Sequence, residues 1–395
     1  MRNNYDTNIK NIMNAAITGT QQKTVVLLVL IWRKIGGLEA VNQDIALAFQ
    51  SLGWRVKVFS VFGTDDDHDS QGFDVTSFCP RNRYCQYLWK RYLWKVVIAW
   101  HIHRTLAKGD LLIFGHAHLL PLLDSLPRAA MYKRWAWIYG IDVWGSQAIR
   151  WITFLNKLDR VISISSFTAE QVYTTGLICP ISIVPCAADT EMFIPTLTPE
   201  RIRRNEILIC GRMAVSEGYK GHQVLFESIP IAEKLLGRFV TVRVVGSGDD
   251  QPRLETVAKQ LGLSERISFS GRVSSDELVE AYQHCGLFCM PSYVERREIG
   301  YWTGEGFGIV YVEAAACGRP VLASTDGGAP ETIIPGKTGL LVDPLCPEAI
   351  GSAIAEILSD PVRADEMGRQ GRLLAESCFS KKEFVYNVSK LFELD

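Results

Sequence analysis

Gly304-Glu305-Gly306-Phe307-Gly308-Ile309-Val310-Tyr311-Val312-Glu313, continuing through Ala314-Ala315-Ala316-Cys317-Gly318, is the stretch on which the reading of this chain turns. Its first half is a glycine-rich turn, where backbone without Cβ atoms can bring N–H groups close to a ligand. Its second half predicts a helix, because Ile309, Val312, Glu313 and Ala316 recur at i, i+3, i+4 and i+7 and Gly318 stands where a helix closes. A glycine loop that feeds a helix N-terminus is an anion site, since the orphan N–H groups and the helix dipole point the same way. Glu305 and Glu313 flank it. Carboxylates do not bind phosphate, so hydroxyl groups are their natural partners, and the combination points to a sugar joined to a phosphate.

Around this stretch the chain alternates apolar strands with helical patterns. Lys23 to Ile31 reads as a strand covered on both faces, followed by Gly36-Gly37, a helical run from Val41 that closes at Gly53, and a strand from Arg55 to Phe62. That order is a βαβ unit. Strands are predicted at Leu111 to Phe114, Trp135 to Tyr139, Val161 to Ile164 and Ile181 to Pro185, and the proline- and threonine-rich Pro195 to Glu200 reads as a hinge. The alternation restarts with strands at Ile207 to Cys210, Thr241 to Val245, Ile267 to Ser270 and Leu287 to Met290. Ser274-x-x-Glu277 is a capping box opening a helix to His284, and Glu295 to Glu298 falls in a long loop that reads as a lid or specificity element. Helices are expected from Pro347 to Leu358, Pro361 to Cys378 and Ser380 to Leu394.

The formal net charge is −1, unevenly spread. Residues up to Pro199 carry 20 Lys and Arg against 15 Asp and Glu, and the remainder 22 against 28. The more basic first half suits an anionic surface or acceptor. The ten cysteines are scattered, without a C-x2-C pair, which reads as a reducing cytoplasm and assigns no metal. Asp65-Asp66-Asp67-His68-Asp69 reads as a solvated acidic loop. The longest apolar run, Val25 to Trp32, is far short of the roughly 20 residues a spanning helix needs, and Met1 to Gln22 is polar, unlike a signal peptide.

Residues 81 to 108 hold Arg81, Arg83, Lys90, Arg91, Lys95, Arg104 and Lys108 interleaved with tyrosines and tryptophans, and no acid. Two readings stand: an anionic-membrane-surface element, or a helix with a charged outer face packed on the sheet. Nothing else in the chain supports nucleic acid. Gly115-His116-Ala117-His118 follows a strand C-terminus, where ligands sit in open α/β sheets, so these imidazoles are site candidates. Arg212 and Lys220, in a strand-to-helix loop, form a cation pair suited to neutralising a diphosphate leaving group.

Glu, seven intervening residues, Glu within E-G-F-G resembles glycosyltransferase family 4, and the likeness continues through Gly318-Arg319-Pro320-Val321-Leu322-Ala323, Gly327-Gly328-Ala329-Pro330-Glu331 and Gly336-Lys337-Thr338-Gly339-Leu340-Leu341-Val342. The resemblance is good over residues 205 to 375 and looser over 23 to 195. It implies an α/β chain of two facing Rossmann-like domains with a cleft between them, the GT-B architecture. The expected division is a flexible lead-in (1–22), an acceptor-binding domain (23–195), a nucleotide-sugar-binding domain (200–378) and a C-terminal helix (380–395) crossing back. By that resemblance Arg212 and Lys220 bind the diphosphate, Glu305 contacts the sugar ring, and Glu313 takes the ribose hydroxyls. Gly306, Phe307, Gly308, Ile309 and Val310 meet the donor. Gly36, Gly37, Gly246 and Gly248 line the donor site, and Arg272 and Val273 sit where the family accepts the base. Many relatives carry His-Gly-x-(Asp or Glu) where this chain has Tyr139-Gly140-Ile141-Asp142, so Asp142, with His118, is expected at the acceptor or donor sugar.

The function so implied is retaining, metal-independent transfer of a sugar from a nucleoside diphosphate sugar to a saccharide or lipid-linked saccharide acceptor. The donor is a co-substrate and no cofactor is expected. The setting would be surface polysaccharide or lipid-linked oligosaccharide synthesis, in the cytoplasm or peripherally on the inner face of the membrane. The same architecture also serves sugar-nucleotide epimerases and phosphorylases, while a catalytically silent binding subunit would not need Glu305, Glu313, Arg212 and Lys220.

Overall fold

A computed structural model describes residues 22–32, 36–62, 72–78, 94–127, 131–296 and 300–393. The described chain divides into two compact units, one ending at Pro185 and regaining the residues from Phe384 on, the other running from Cys186 to Glu383. The division precedes the expected Pro195 hinge because the connecting segment is tied to the second unit. Ala188 N donates to Phe379 O at 2.8 Å, and the Arg372 guanidinium donates to the carbonyls of Phe193 (2.6 Å) and Thr190 (2.9 Å).

The first unit contains β1 (Thr24–Val29), α1 (Gly37–Ser51), β2 (Arg55–Ser60), β3 (Asp74–Ser77), α2 (Trp94–Thr105), β4 (Leu111–Phe114), β5 (Lys133–Ile138), α3 (Ser146–Leu155), β6 (Arg160–Ser163), α4 (Ser166–Thr174) and β7 (Ile181–Ile183). Its sheet has the order β3-β2-β1-β4-β5-β6-β7, and every neighbouring pair is parallel. Parallel strands covered on both faces must be apolar throughout. Val25 to Val29 and Leu111 to Phe114 are accordingly buried along their whole length. The short polar β3 is an edge strand, partly exposed, and carries no apolar alternation by which to read it.

The second unit contains β8 (Arg203–Cys210), α5 (His222–Leu236), β9 (Thr241–Val245), α6 (Gln251–Gln260), β10 (Ile267–Phe269), α7 (Ser275–His284), β11 (Cys285–Cys289), β12 (Glu295–Arg296), β13 (Trp302–Thr303), α8 (Ile309–Ala316), β14 (Val321–Ser324), β15 (Gly339–Val342), α9 (Pro347–Ser359) and α10 (Pro361–Cys378). The last helix, α11 (Lys381–Lys390), follows. The main sheet runs β10-β9-β8-β11-β14-β15, again all parallel. The segment read as a long loop carries instead a two-stranded antiparallel hairpin, with Glu295 opposite Thr303 and Arg296 opposite Trp302. The Arg296 guanidinium lies 4.6 Å from the centre of the Trp302 ring, a cross-strand pairing that apolar periodicity does not reveal.

Each sheet reverses its winding once, between β1 and β4 in the first unit and between β8 and β11 in the second. The loops leaving such a pair diverge to opposite faces, and the crevice outside the carboxyl ends of the two strands is where ligands bind in open α/β sheets.

Beyond α11, Phe392 enters an aromatic cluster of the first unit. Its ring lies 5.4 Å from Trp54 in a near-parallel stack, 5.1 Å from Trp135 and 6.1 Å from Phe49. Truncation of a ring packed this way costs about 3 kcal/mol through lost burial and the cavity left behind. Phe392→Ala should therefore lower the unfolding free energy by about that amount, read as a shifted urea midpoint at unchanged slope.

Candidate active site

In the second unit the site grows from the ends of β8 and β11. Just past β8, Arg212 forms an ion pair with Glu217, whose other oxygen lies 4.0 Å from Lys220 Nζ. Lys220 Nζ in turn lies 3.3 Å from Glu305 Oε2. Arg212, Glu217, Lys220 and Glu305 thus form one row of alternating charge. The Lys220 and Glu305 side chains are only 15% and 19% exposed, whereas Arg212 is 69% exposed. Burial by itself pulls the Lys220 pKa down, but Glu305, Tyr219 and Glu217 more than reverse it, so the amine stays charged above its ordinary range. Gly211 leaves room for this lysine: a Cβ there would stand 2.9 Å from Lys220 Cδ.

Glu305 is held by backbone packing. Gly328 N donates to Glu305 O at 2.9 Å, and a Cβ on Gly328 would come within 2.1 Å of Gly306 O. Gly308 caps α8 with φ at 88°, in the left-handed region, and a side chain there would strike the Tyr311 ring at 2.3 Å. Tyr311 is buried and fixes the first turn of α8 to the end of β11, its hydroxyl lying 2.7 Å from Met290 O and 2.8 Å from Ser292 Oγ. The opening amides of α8 have no preceding turn to donate to. Ile309 and Val310, partly exposed, carry them. Phe307 is a core residue: it is buried, its ring edge-on to Phe379 at 5.7 Å, so only its backbone is left for the donor role expected of it. On the next turn Glu313 Oε2 accepts a hydrogen bond from Tyr282 Oη at 2.9 Å.

Gly246 and Gly248 have a role inside the fold. A Cβ on Gly246 would lie 2.0 Å from Gly211 O, and one on Gly248 1.9 Å from Met213 O. These glycines let the loop after β9 lie directly on the loop that carries Arg212. Gly246 N also donates to Gly271 O at 2.8 Å, tying in the loop of Arg272 and Val273. Arg272 is exposed and Val273 partly so. A cavity of about 320 Å3 opens beside Glu217, lined also by His222, Gln223, Asp250, Arg253 and Tyr293. It contains none of the residues expected from sequence at the donor site.

In the first unit, His116 starts a 3-10 turn (Ala117–Ser125), its Nδ1 accepting from His118 N at 3.1 Å with the two rings stacked at 4.7 Å. Asp142 Oδ1 accepts from the backbone N–H groups of Tyr139 (3.0 Å) and Gly140 (2.8 Å), while its Oδ2 is buried without a hydrogen-bond partner among the described residues. Burial raises the Asp142 pKa to about 6, against the pull of those two bonds. Burial lowers His116 to about 4, and burial together with His116 and Arg150 lowers His118. The Tyr139 hydroxyl donates to Asn42 Oδ1 at 3.0 Å. Asn42 is a functional candidate that the sequence reading missed. It is a buried amide on the otherwise apolar inner face of α1, beside Val41, Ile45 and Phe49. Gly36 and Gly37 open α1 and are exposed, Gly36 in an extended conformation and Gly37 with open space around its Cα among the described residues. Among the described residues, no packing contact demands glycine at Gly37.

Of the basic aromatic segment, residues 79–93 lie outside the described residues, as does the acidic loop Asp65 to Asp69. The described part, α2, buries Ile98, Ala99 and Ile102 and exposes Val96 (64%) and Trp100 (52%), with the Arg104 guanidinium 4.8 Å from the Trp100 ring centre. Among the described residues no helix is long and apolar enough to cross a membrane, and no cluster of three or more His, Cys, Asp or Glu could hold a metal ion.

Two parallel doubly wound units are the architecture of the GT-B fold, and in the second acids and cations gather at the switch point. Sucrose-phosphate synthase from Thermosynechococcus elongatus superimposes with a TM-score of 0.72 at 20% identity, covering 94% of this chain and 99% of that one. The Anabaena protein HepE, solved in complex with UDP, does so with 0.77 at 18% identity, covering 94% and 100%. The sequence matches the family described as Glycosyltransferase Family 4 over residues 35–192 and that described as Glycosyl transferases group 1 over residues 199–374. A GDP-mannose-dependent alpha-(1-6)-phosphatidylinositol monomannoside mannosyltransferase of Mycolicibacterium smegmatis is 31% identical over 293 residues, 70% of this chain and 74% of that protein. Its Mycobacterium tuberculosis counterpart is 30% identical over 286 residues, 69% and 73%. The chain belongs to glycosyltransferase family 4 and is a glycosyltransferase.

The raised Asp142 pKa has a measurable sign. A carboxyl that holds its proton more tightly folded than unfolded makes stability fall as pH rises from near 4 to near 6, and the loss is complete above that. Relative to wild type, Asp142→Asn should gain unfolding free energy across pH 4 to 6, by at most about 3 kcal/mol, and then plateau. Paired denaturant titrations at pH 4, 5, 6 and 7.5 check it; a constant difference would contradict the assignment.

Proposed function

We propose that this glycosyltransferase takes its sugar from a nucleoside diphosphate donor held by the second unit, and passes it with retention to a lipid-linked or glycolipid hydroxyl recognised by the first. The observation that carries this reading is the row Arg212–Glu217–Lys220–Glu305 beside the amino end of α8. Two cations and a helix tip suit a diphosphate, and Glu305, with Glu313 one turn into α8, suits the hydroxyls attached to it. The mannosyltransferase relatives named as GDP-mannose-dependent make GDP-mannose the first donor to try, and their phosphatidylinositol mannoside acceptors suggest the acceptor class.

In this reading the bond from the anomeric carbon to the diphosphate oxygen breaks with its electron pair going to the diphosphate. Arg212 and Lys220 meet that charge where it develops, a role that in other folds falls to a metal ion. Glu305 holds the sugar through its hydroxyls and Glu313 the ribose. The acceptor oxygen bonds to the anomeric carbon on the face from which the diphosphate leaves, and its proton passes to the departing diphosphate. His118 and Asp142 would orient the acceptor; both lie past strand ends of the first unit. No side chain is assigned as a covalent nucleophile.

Lys220→Ala should lower kcat by 10²- to 10³-fold, the cost of removing one charge-stabilising donor, and Glu305→Gln should lower it at least tenfold. Release of GDP from GDP-mannose, followed with and without phosphatidylinositol mannoside acceptors and with chelator, is the measurement. A wild-type rate in the lysine variant removes the diphosphate assignment. Loss of activity with chelator removes metal independence, and acceptor-independent product without free GDP would favour an epimerase.

We further propose that residues 81 to 108 meet an anionic membrane face. The cations Lys95 and Arg104 and the exposed Val96 and Trp100 of α2 support it. Wild-type protein should float with phosphatidylglycerol vesicles and not with neutral ones, and charge-reversing 81–108 from Arg and Lys to Glu should abolish flotation. Equal flotation of the two would end the proposal.

A further inference from the structure

The Tyr282 hydroxyl donates to Glu313 Oε2 at 2.9 Å, with the Cys210 thiol nearby. From this geometry we propose that Tyr282 is a positioning residue for donor recognition. It fixes the Glu313 carboxylate in the orientation that accepts the hydroxyls of the donor's ribose. The inference rests on the proposed role of Glu313 and adds to it a residue through which that role is exercised.

Three elements converge on this hydroxyl. Cys210 closes β8 at the switch point, Tyr282 lies near the end of α7, and Glu313 lies one turn into α8. A glutamate side chain has three rotatable bonds, and freezing it on ligand binding costs conformational entropy. A hydrogen bond made before the ligand arrives takes that cost out of binding, which is preorganisation in the sense used for designed sites. The donor must itself be immobile, and Tyr282 is: it is fully buried, its ring edge-on to Phe193 at 5.8 Å and tilted against Phe288 at 5.6 Å. Burial, with the nearby Cys210 and Glu313, holds the phenol protonated far above its ordinary range. The neutral phenol therefore stays a proton donor to the carboxylate at every pH the protein meets. The capping box at Ser274 and Glu277 anchors the start of the same helix, so the tyrosine is presented from a fixed element.

Tyr282→Phe removes the hydroxyl and leaves the aromatic packing. In full-length protein, the variant should keep kcat within about twofold and raise KM for the nucleotide sugar on the order of tenfold, the scale of one hydrogen bond to a charged group. Its melting temperature should stay close to that of the wild type. A donor analogue lacking a ribose hydroxyl provides the readout that a merely structural tyrosine would not move. Wild type should discriminate against the 2′-deoxy or 3′-deoxy nucleotide sugar, and Tyr282→Phe should lose most of that discrimination, as should Glu313→Ala. If Glu313→Ala loses it while Tyr282→Phe retains wild-type KM and discrimination, the positioning role is overturned and the ribose assignment stands. If Glu313→Ala itself retains discrimination, the ribose assignment falls, and this inference with it.

Discussion

The reversal of winding between β8 and β11 is the constraint on which the second unit's chemistry depends. Parallel strands need crossover connections, and right-handed crossovers started from adjacent strands in opposite directions carry their loops apart. The gap so created is polar by necessity, because backbone groups at strand ends have no further ladder partners. The sequence fills it with charge: Arg212 and Lys220 from the connection after β8, and Glu305 from the loop before α8. Tyr311 then ties that loop to the β11 end through Met290 O and Ser292. The residues of this unit that read as catalytic sit in the connections that leave β8 and lead into α8: Arg212 two residues and Lys220 ten residues past β8, and Glu305 four before α8.

The glycines show how much of such a site is packing. Gly246, Gly248 and Gly328 each sit so close to a neighbouring carbonyl that a Cβ would overlap it. Their removal would disturb the Arg212 and Glu305 loops whether or not a ligand touches them. A glycine motif near a nucleotide therefore has two physical causes that sequence alone does not separate: approach by ligand and approach by the protein's own backbone. For Gly246 and Gly248 the second is explicit in the structure. Gly37, by contrast, has open surroundings among the described residues and an exposed place at the start of α1.

The sequence was legible where a regular period or a cap dictates the element. Leu111 to Phe114, Thr241 to Val245 and Pro361 to Cys378 have the predicted bounds, and the Ser274–Glu277 capping box is formed as read. It was illegible where the cause is tertiary. β3 is half exposed at a sheet edge, and β12 and β13 hold each other through an arginine over an indole. Phe307 was expected at the donor by resemblance; its ring packs in the core against Phe379, more than seventy residues on, which leaves its backbone for that role. Asn42 and Tyr282 escaped notice for a related reason. Each is one polar group in an apolar pattern, and its partner, Tyr139 in one case and Glu313 in the other, is distant in sequence.

Before any donor arrives, the row of two cations and two carboxylates sums to zero formal charge. It is therefore not a simple sink for anions. Half-buried charges that lack partners are costly, so Lys220 and Glu305 stabilise each other, and neither could be retained cheaply alone. A diphosphate of the kind proposed would compete with Glu305 and Glu217 for the same cations, and Arg212, 69% exposed, is the least enclosed of the four. Such a site would bind the charge spread over a sugar-linked diphosphate without gripping the free nucleotide so tightly that release stalls the next turnover. In the proposed reading Glu217 and Glu305 would share in diphosphate handling with the cations they neutralise. The balance of the row, more than the strength of any one contact, is what selection on this site would tune.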